Sequence, residues 1–240
     1  FPEFDLLRRE NIGFSAANNI VLRSTAAEFC LLLNPDTEVH PGALDAAIGR
    51  LEGDPAIGMV GVRLLTESGE LDHACKRSFP TPLGALAHFT GLGRRAGMPN
   101  GLRQYRATEL GEFESGYVDA VNGAFMMVRL DALEKTGPLD EGYWLYMEDL
   151  DWCRRFWRAA WSVFYEPDGT VLHVKGGSSG RRRGFRQEVA FHRGMGRFYR
   201  RFDSAAHSPA LNAVIYCGIA AKLATSLLIT MVQGRQSTSS

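Results

Sequence analysis

The chain has 240 residues, 45% of them hydrophobic and 22% charged, with 27 Lys and Arg balancing 27 Asp and Glu. That length can bury a full core, the composition is ordinary for a globular protein, and zero net charge excludes a nucleic-acid binder held by bulk charge. Cys30, Cys75, Cys153 and Cys217 lack C-x-x-C spacing, which speaks against a zinc ribbon or a disulfide framework.

Asn11 to Asn19 is polar and contains Gly13, and Ala16 to Ala27 is expected to be helical with Ile20 and Val21 inward. Phe29 to Leu33 is a short continuous apolar run, the signature of a strand buried on both faces, and Asn34-Pro35-Asp36 ends it. Pro41 suits a first helical turn. Leu44, Ala47, Ile48 and Leu51 supply one apolar face, and Gly53-Asp54-Pro55 stops that helix. Ile57 to Leu65 reads as a strand and Glu67 to Glu70 as a turn. Phe79 to Gly116 is rich in Gly, Pro and Arg with weak periodicity, and is expected to be a loop near a site or a surface excursion.

Val118 to Val128 reads as a further core strand, and Leu130 to Lys135 as a short helix closed by Gly137. Leu150 to Ala160 is an amphipathic helix with Trp152 and Phe156 on one face. Val163 to Tyr165 and Val171 to Val174 are strand-like. Strand and helix signals alternate, which predicts an α/β fold with a mainly parallel sheet flanked by helices. Beyond Gly184 the pattern is helical. Pro209 to Val232 is mostly apolar around Lys222, consistent with a packed helix, an interfacial helix or a membrane span.

Asp36 follows a strand signal, where ligands gather in open α/β sheets. It is expected either to hold a divalent cation on a diphosphate or simply to cap a turn. Glu148, Asp149 and Asp151 crowd the start of a helix. Their negative charge suits the amide end, yet three acids exceed what one cap needs; sharing a cavity would raise at least one pKa and favour a general base. His173 ends an apolar run and is expected to meet a metal, a phosphate or a structural partner. Gly176 to Gly180 with Arg181 to Arg183 suits a phosphate-gripping loop or a linker, without the P-loop pattern of an ATPase. Asn18 and Asn19 can donate amide hydrogen bonds to a nucleotide or acceptor.

Taken in order, N-I-G-F-S-A-A-N-N (11–19), L-L-L-N-P-D-T-E-V-H-P-G-A-L (31–44), V-N-G-A-F-M-M-V-R (121–129), G-P-L-D-E-G-Y-W-L-Y-M-E-D-L-D-W-C-R-R (137–155) and Y-E-P-D-G-T-V-L-H-V-K-G-G-S-S (165–179) resemble the GT-A, family 2 inverting glycosyltransferases, and within them the bacterial rhamnosyltransferases. The resemblance implies a GT-A, Rossmann-like catalytic domain over 1–180 and a basic, apolar helical extension over 181–240. Because the likeness starts at Asn11, the strand that opens such a domain is expected either to be lacking from the protein or to lie outside the sequence given. Asp36 matches the last acidic position of the family's metal motif, with Asn34 where many relatives carry its first Asp. Asp149 matches the catalytic base, Glu148 its neighbour in the E-D pair, and His173 a histidine of the metal–diphosphate cluster. Donor binding would involve Asn18, Asn34 and Asp36, with Mg²⁺ or Mn²⁺ at Asp36 and His173.

The implied donor is a nucleotide sugar, dTDP-L-rhamnose. The implied acceptor is N-acetylglucosamine on a polyprenyl diphosphate, at the cytoplasmic face of a bacterial plasma membrane. Another nucleotide sugar, or a catalytically weak assembly scaffold, is the alternative. From Lys175 to Arg201 there are nine Lys or Arg and one acid, Glu188, interleaved with Phe185, Phe191, Phe198, Tyr199 and Phe202. Next to the apolar 209–232 segment, this predicts peripheral membrane contact or a homo-oligomer interface.

Overall fold

The computed structural model describes residues 5–81, 110–174 and 183–237. Its elements in chain order begin with α1 (Phe14–Leu22), β1 (Phe29–Leu33), β2 (Thr37–Val39), α2 (Ala43–Gly53), β3 (Ile57–Leu65) and β4 (Lys76–Arg77). There follow β5 (Gly116–Tyr117), β6 (Ala120–Val121), β7 (Phe125–Arg129), α3 (Leu133–Thr136), α4 (Glu148–Arg158), β8 (Ser162–His173), α5 (Phe185–Phe202) and α6 (Pro209–Ser237). Most of the Phe79–Gly116 excursion and the Gly176–Gly180 segment lie outside the described residues.

The main sheet runs β1-β7-β3-β8-β2, with β5 also paired to β8. It is mixed, not mainly parallel: β3–β8 is the parallel pair, while β1–β7, β3–β7, β2–β8 and β5–β8 are antiparallel. The crossover through α2 does set β1 and β3 in the same direction. Alternating signals do not reveal, however, that β7 enters between them running the other way. The stretch Val118 to Val128 is two strands rather than one. Asn122 Oδ1 accepts from the Ala124 amide at 2.8 Å and the Phe125 amide reaches the Asn122 carbonyl at 3.1 Å, a turn that separates β6 from β7. Conversely, the two late apolar runs are one strand, β8, with a register shift against β3 between Val62 and Arg63.

The core lies where α2 and α4 cover the sheet. Trp152, Phe156, Phe125, Met59, Met126 and Leu51 are fully buried. β3 and β7 are almost wholly buried, but β1 lies at the edge of the described sheet and only Leu32 of it is fully buried. In α1 the inward residues are Ser15, Asn19 and Leu22, and Val21 is exposed. The reason is polar: the Asn19 side chain donates to the Leu139 carbonyl at 2.8 Å and accepts from the Leu139 amide at 2.9 Å, replacing water for a buried loop. In α2, Ala43 joins Ala47 and Leu51 inside, while Leu44 faces out.

α5 is tied to this domain. Arg197 forms a fork with Asp140, Arg201 bridges Asp140 and Asp151, and Arg154 of α4 meets Asp203. Phe198, Tyr199 and Phe202 are buried, and the Arg154 guanidinium stacks over the Phe198 and Phe202 rings, so these three aromatics pack inward rather than offering themselves to a membrane. α6 differs. Its Pro209–Val232 stretch has mean hydropathy 1.7 and is 6% buried. It is joined to α5 by the Tyr199 hydroxyl donating to Asn212 and by edge-on packing of Tyr199 with Tyr216, ring centroids 5.6 Å apart.

The two adjacent asparagines of α1 are expected to behave differently. Asn18 bonds the Phe14 carbonyl of its own helix, whereas Asn19 satisfies two buried groups of Leu139. Urea unfolding should show Asn19→Ala losing about 2–3 kcal/mol and Asn18→Ala under about 1 kcal/mol. Equal losses would overturn the assignment of Asn19 as the tie.

Candidate active site

Two clusters of charged side chains are each tied to the turn at 122–124, one through the Ala124 carbonyl and the other through the Gly123 amide. The first begins where β1 ends. The Asn34 amide donates to the Ala124 carbonyl at 3.0 Å, and Pro35 has no amide to continue the ladder. The Thr37 hydroxyl turns back onto the Asn34 carbonyl at 2.6 Å, and β2 then pairs Thr37 with His173 of β8. The Val174 amide closes on the Asp36 carbonyl at 2.9 Å. This pairing sets Asp36 Oδ1 3.6 Å from His173 Nε2. On the other side of the ring, His173 Nδ1 lies 3.6 Å from Oδ2 of Asp72, itself buried and hung from the end of β3 by its amide bond to Leu64. One imidazole thus sits between two carboxylates.

Among the described residues no three His, Cys, Asp or Glu side chains are grouped to hold a metal ion. Asp36 and His173 nonetheless offer an oxygen and a nitrogen 3.6 Å apart, and these are the two residues that would hold a divalent cation were one bound.

The second cluster is built by an abrupt entry into α4. Tyr146 and Met147 both adopt left-handed backbone, φ 69° and 72°, at a cost of order 1–3 kcal/mol each. The Phe14 amide on the Trp144 carbonyl and the Asp151 amide on the Met147 carbonyl hold that entry. It turns Glu148 and Asp149 into the interior. Asp149 Oδ1 accepts from the Leu150 amide at 2.8 Å, and Oδ2 accepts from Arg77 Nη2 at 2.5 Å and from the Gly123 amide at 3.4 Å. The same Arg77 nitrogen donates to the Val121 carbonyl at 2.6 Å.

Glu148 is buried beside this pair, and its Oε2 has no hydrogen-bond partner. Burial first, and the Asp149 charge second, push its pKa up to about 8. Asp151 does not share this cavity. It lies on the other face of α4, where it accepts from the Tyr143 hydroxyl, Arg155 and Arg201. The expected trio of acids is therefore a pair plus a structural anchor, because Asp151 lies about 200° round the helix from Asp149 and is taken up by Tyr143, Arg155 and Arg201.

The structure thus joins Asp36 with His173, and Glu148 with Asp149. Asn34 is the link: its partner Ala124 follows Gly123, whose amide reaches Asp149. The Asn18 amide is spent on the Phe14 carbonyl, and the Phe14 ring borders Gly123. Sequence reasoning missed Asp72 and Arg77. Both lie in a polar stretch without period, and a buried arginine is written with the same letter as a solvated one. The one available signal was the adjacent pair Lys76-Arg77 next to Cys75.

This architecture is a GT-A-like glycosyltransferase fold. A structure of GalNAc-T7 with UDP, GalNAc and Mn²⁺ superposes with a TM-score of 0.52 at 12% identity, over 78% of this chain and 34% of that one, a likeness of fold alone. In sequence, N-acetylglucosaminyl-diphospho-decaprenol L-rhamnosyltransferase of Mycobacterium tuberculosis is 30% identical over 154 residues, 64% of this chain and 49% of the relative. Rhamnosyltransferase WbbL of Escherichia coli K12 is 24% identical over 168 residues, 67% of this chain and 60% of its own. The chain spans about half the length of the mycobacterial relative. No protein-family model matches it.

Glu148 makes a prediction about pH. An acid whose pKa rises on folding, here from its ordinary 4.5 to about 8, keeps its proton in the native state after the unfolded chain has lost it. Stability then falls as pH rises between those values, by up to about 1.4 kcal/mol per pH unit. Glu148→Gln should flatten that decline. Denaturant titrations from pH 5 to 8 read it, and a wild-type slope retained by the variant would remove Glu148 as its source.

Proposed function

We propose that the chain is a nucleotide-sugar-dependent, inverting glycosyltransferase of the GT-A type. The observation that carries this reading is the placement of Asp149. It is a buried carboxylate at the first turn of α4, held by Arg77 and by the Gly123 amide, in the same turn whose Ala124 carbonyl ties down Asn34, two residues before Asp36. A carboxylate so held can remove a proton from an acceptor hydroxyl as that oxygen attacks the anomeric carbon.

Asp149 is the base in this reading. Glu148, carrying its own proton at neutral pH, can donate a hydrogen bond to an acceptor oxygen and so orient it. Asn34 belongs to the donor side in this reading, while the amide of Asn18 stays with the Phe14 carbonyl. A Mg²⁺ or Mn²⁺ held by Asp36 and His173 would supply charge compensation for the departing nucleoside diphosphate. The names of two relatives support L-rhamnose as the sugar moved, and that of the mycobacterial one supports N-acetylglucosamine on a polyprenyl diphosphate as its acceptor; dTDP as the carrier rests on the resemblance in sequence alone.

Such an acceptor stays in a membrane, and α6 is the element suited to reach it. Its apolar stretch of 24 residues is about 36 Å long, against a hydrocarbon core of about 30 Å. Val214, Leu228, Ile229, Met231 and Val232 are exposed. We assign membrane attachment, at the cytoplasmic face, to α6. The basic face of α5 beside it would favour anionic lipid.

Asp149→Asn should lower transfer from dTDP-rhamnose by roughly 10²–10⁴ while donor affinity persists. Turnover near that of the wild type would remove Asp149 from the role, and turnover only with a UDP-sugar would replace the donor. In sedimentation with anionic and neutral vesicles, the chain should pellet with lipid and a version ending near Ser204 should stay in solution. Equal binding by both would exclude α6 as the contact.

A further inference from the structure

The two-residue strand β4 has no share in the main sheet. Among the described residues it pairs with β6, matching Lys76 to Val121 and Arg77 to Ala120. Neighbouring strand residues point to opposite faces, so this clip sends two buried cations in opposite directions. Lys76 donates to the carbonyls of Leu110 and Gly111 and lies over the Tyr165 ring, which accounts for it as a tie to the 110–112 segment. Arg77 goes to the start of α4. One nitrogen, Nη2, donates to both the Val121 carbonyl and Asp149 Oδ2. Two hydrogens on one planar terminal nitrogen suit two acceptors at a fixed angle, a geometry that a lysine ammonium does not impose.

We propose that Arg77 is the positioning residue of the candidate base: anchored on the Val121 carbonyl, it fixes the orientation of the Asp149 carboxylate and supplies its counter-charge. The proposal rests on Asp149 being the base. Two adjacent buried carboxylates, Glu148 and Asp149, cannot both be charged cheaply in the interior, and such a pair releases its protons in coupled steps. The groups around Asp149 are Arg77 from β4, Glu148 beside it and the Cys153 thiol further along α4, with the Gly123 amide from the β6–β7 turn. Among the described residues Arg77 is the cation that bonds Asp149. Its guanidinium compensates the carboxylate it touches, while Glu148 is the member whose pKa burial raises, so the two acids sit in different surroundings.

Arg77 acts through Asp149, so its removal should change the pH dependence of catalysis and not merely its size. In Arg77→Gln the acid limb of kcat/KM should move up by about one pH unit, with kcat about 10²-fold lower at neutral pH. The donor KM should stay near that of the wild type. Arg77→Lys, which keeps the charge but not the two-acceptor geometry, should hold the wild-type limb and lose kcat. An Arg77→Gln enzyme with an unmoved limb overturns the proposal, as does an Arg77→Lys enzyme with wild-type kcat; the second result decides the matter should the glutamine variant fail to fold. Asp149→Asn, assayed alongside, separates the two ideas. If that variant turns over normally, the base assignment is wrong. If it is inactive and the Arg77 variants keep wild-type kcat and pH limb, only the positioning role is lost.

Discussion

The long strand β8 is the constraint on which the site depends. Its twelve residues pair with β3 along most of their length, with β5 near one end and with β2 near the other. A strand shared by three partners cannot slip, since a slip of one residue would turn every side chain to the wrong face. The pairing with β2 puts His173 beside Asp36, and the pairing with β3 brings the end of that strand, and Asp72 after it, to the other side of the ring. Residues more than a hundred positions apart are thus aligned by backbone hydrogen bonds, before any side chain chooses its partner.

α4 divides charge between two faces in the same way. On one face Glu148 and Asp149 look into the interior towards Arg77. On the other, Asp151 engages Arg155 and Arg201, and through Arg201 shares in the Asp140 network that binds α5. The first set is thinly satisfied, with a glutamate oxygen left without a partner; the second is dense in hydrogen bonds. Thin satisfaction is what a site that must accept a ligand has to tolerate, whereas dense satisfaction is what holds a fold.

Much of this was legible in the sequence, and the limits of legibility are physical. Apolar runs located β1, β3, β7 and β8, and Gly and Pro marked the ends of α2, because burial and backbone freedom are local properties of the chain. Strand direction was not local. β7 enters between β1 and β3 only after a long excursion, and nothing in its own residues says which neighbours it will find. The carboxylates at 36 and 149 stood out because acids at strand and helix ends have few reasons to be there. Arg77 and Asp72 did not stand out, since their importance comes entirely from what the fold lays against them. In α1, the apolar Val21 faced water and the polar Asn19 was buried, because a loop needing two hydrogen bonds outweighed one aliphatic side chain.

The join between α5 and α6 has a consequence for how far the site can reach. α5 is clamped to the body of the sheet by a fork of arginine to carboxylate, and Tyr199 grips both Asn212 and Tyr216 at the root of α6. With α6 in a bilayer, the body would not swing on a loose tether but ride at a set height above the lipid. Asp149 would then sweep a plane, meeting sugars that stand at that height on their carriers and passing over shorter or taller ones. On the proposed reading, the height of the acceptor sugar above the lipid would become a criterion of selection, set by a helix outside the candidate site.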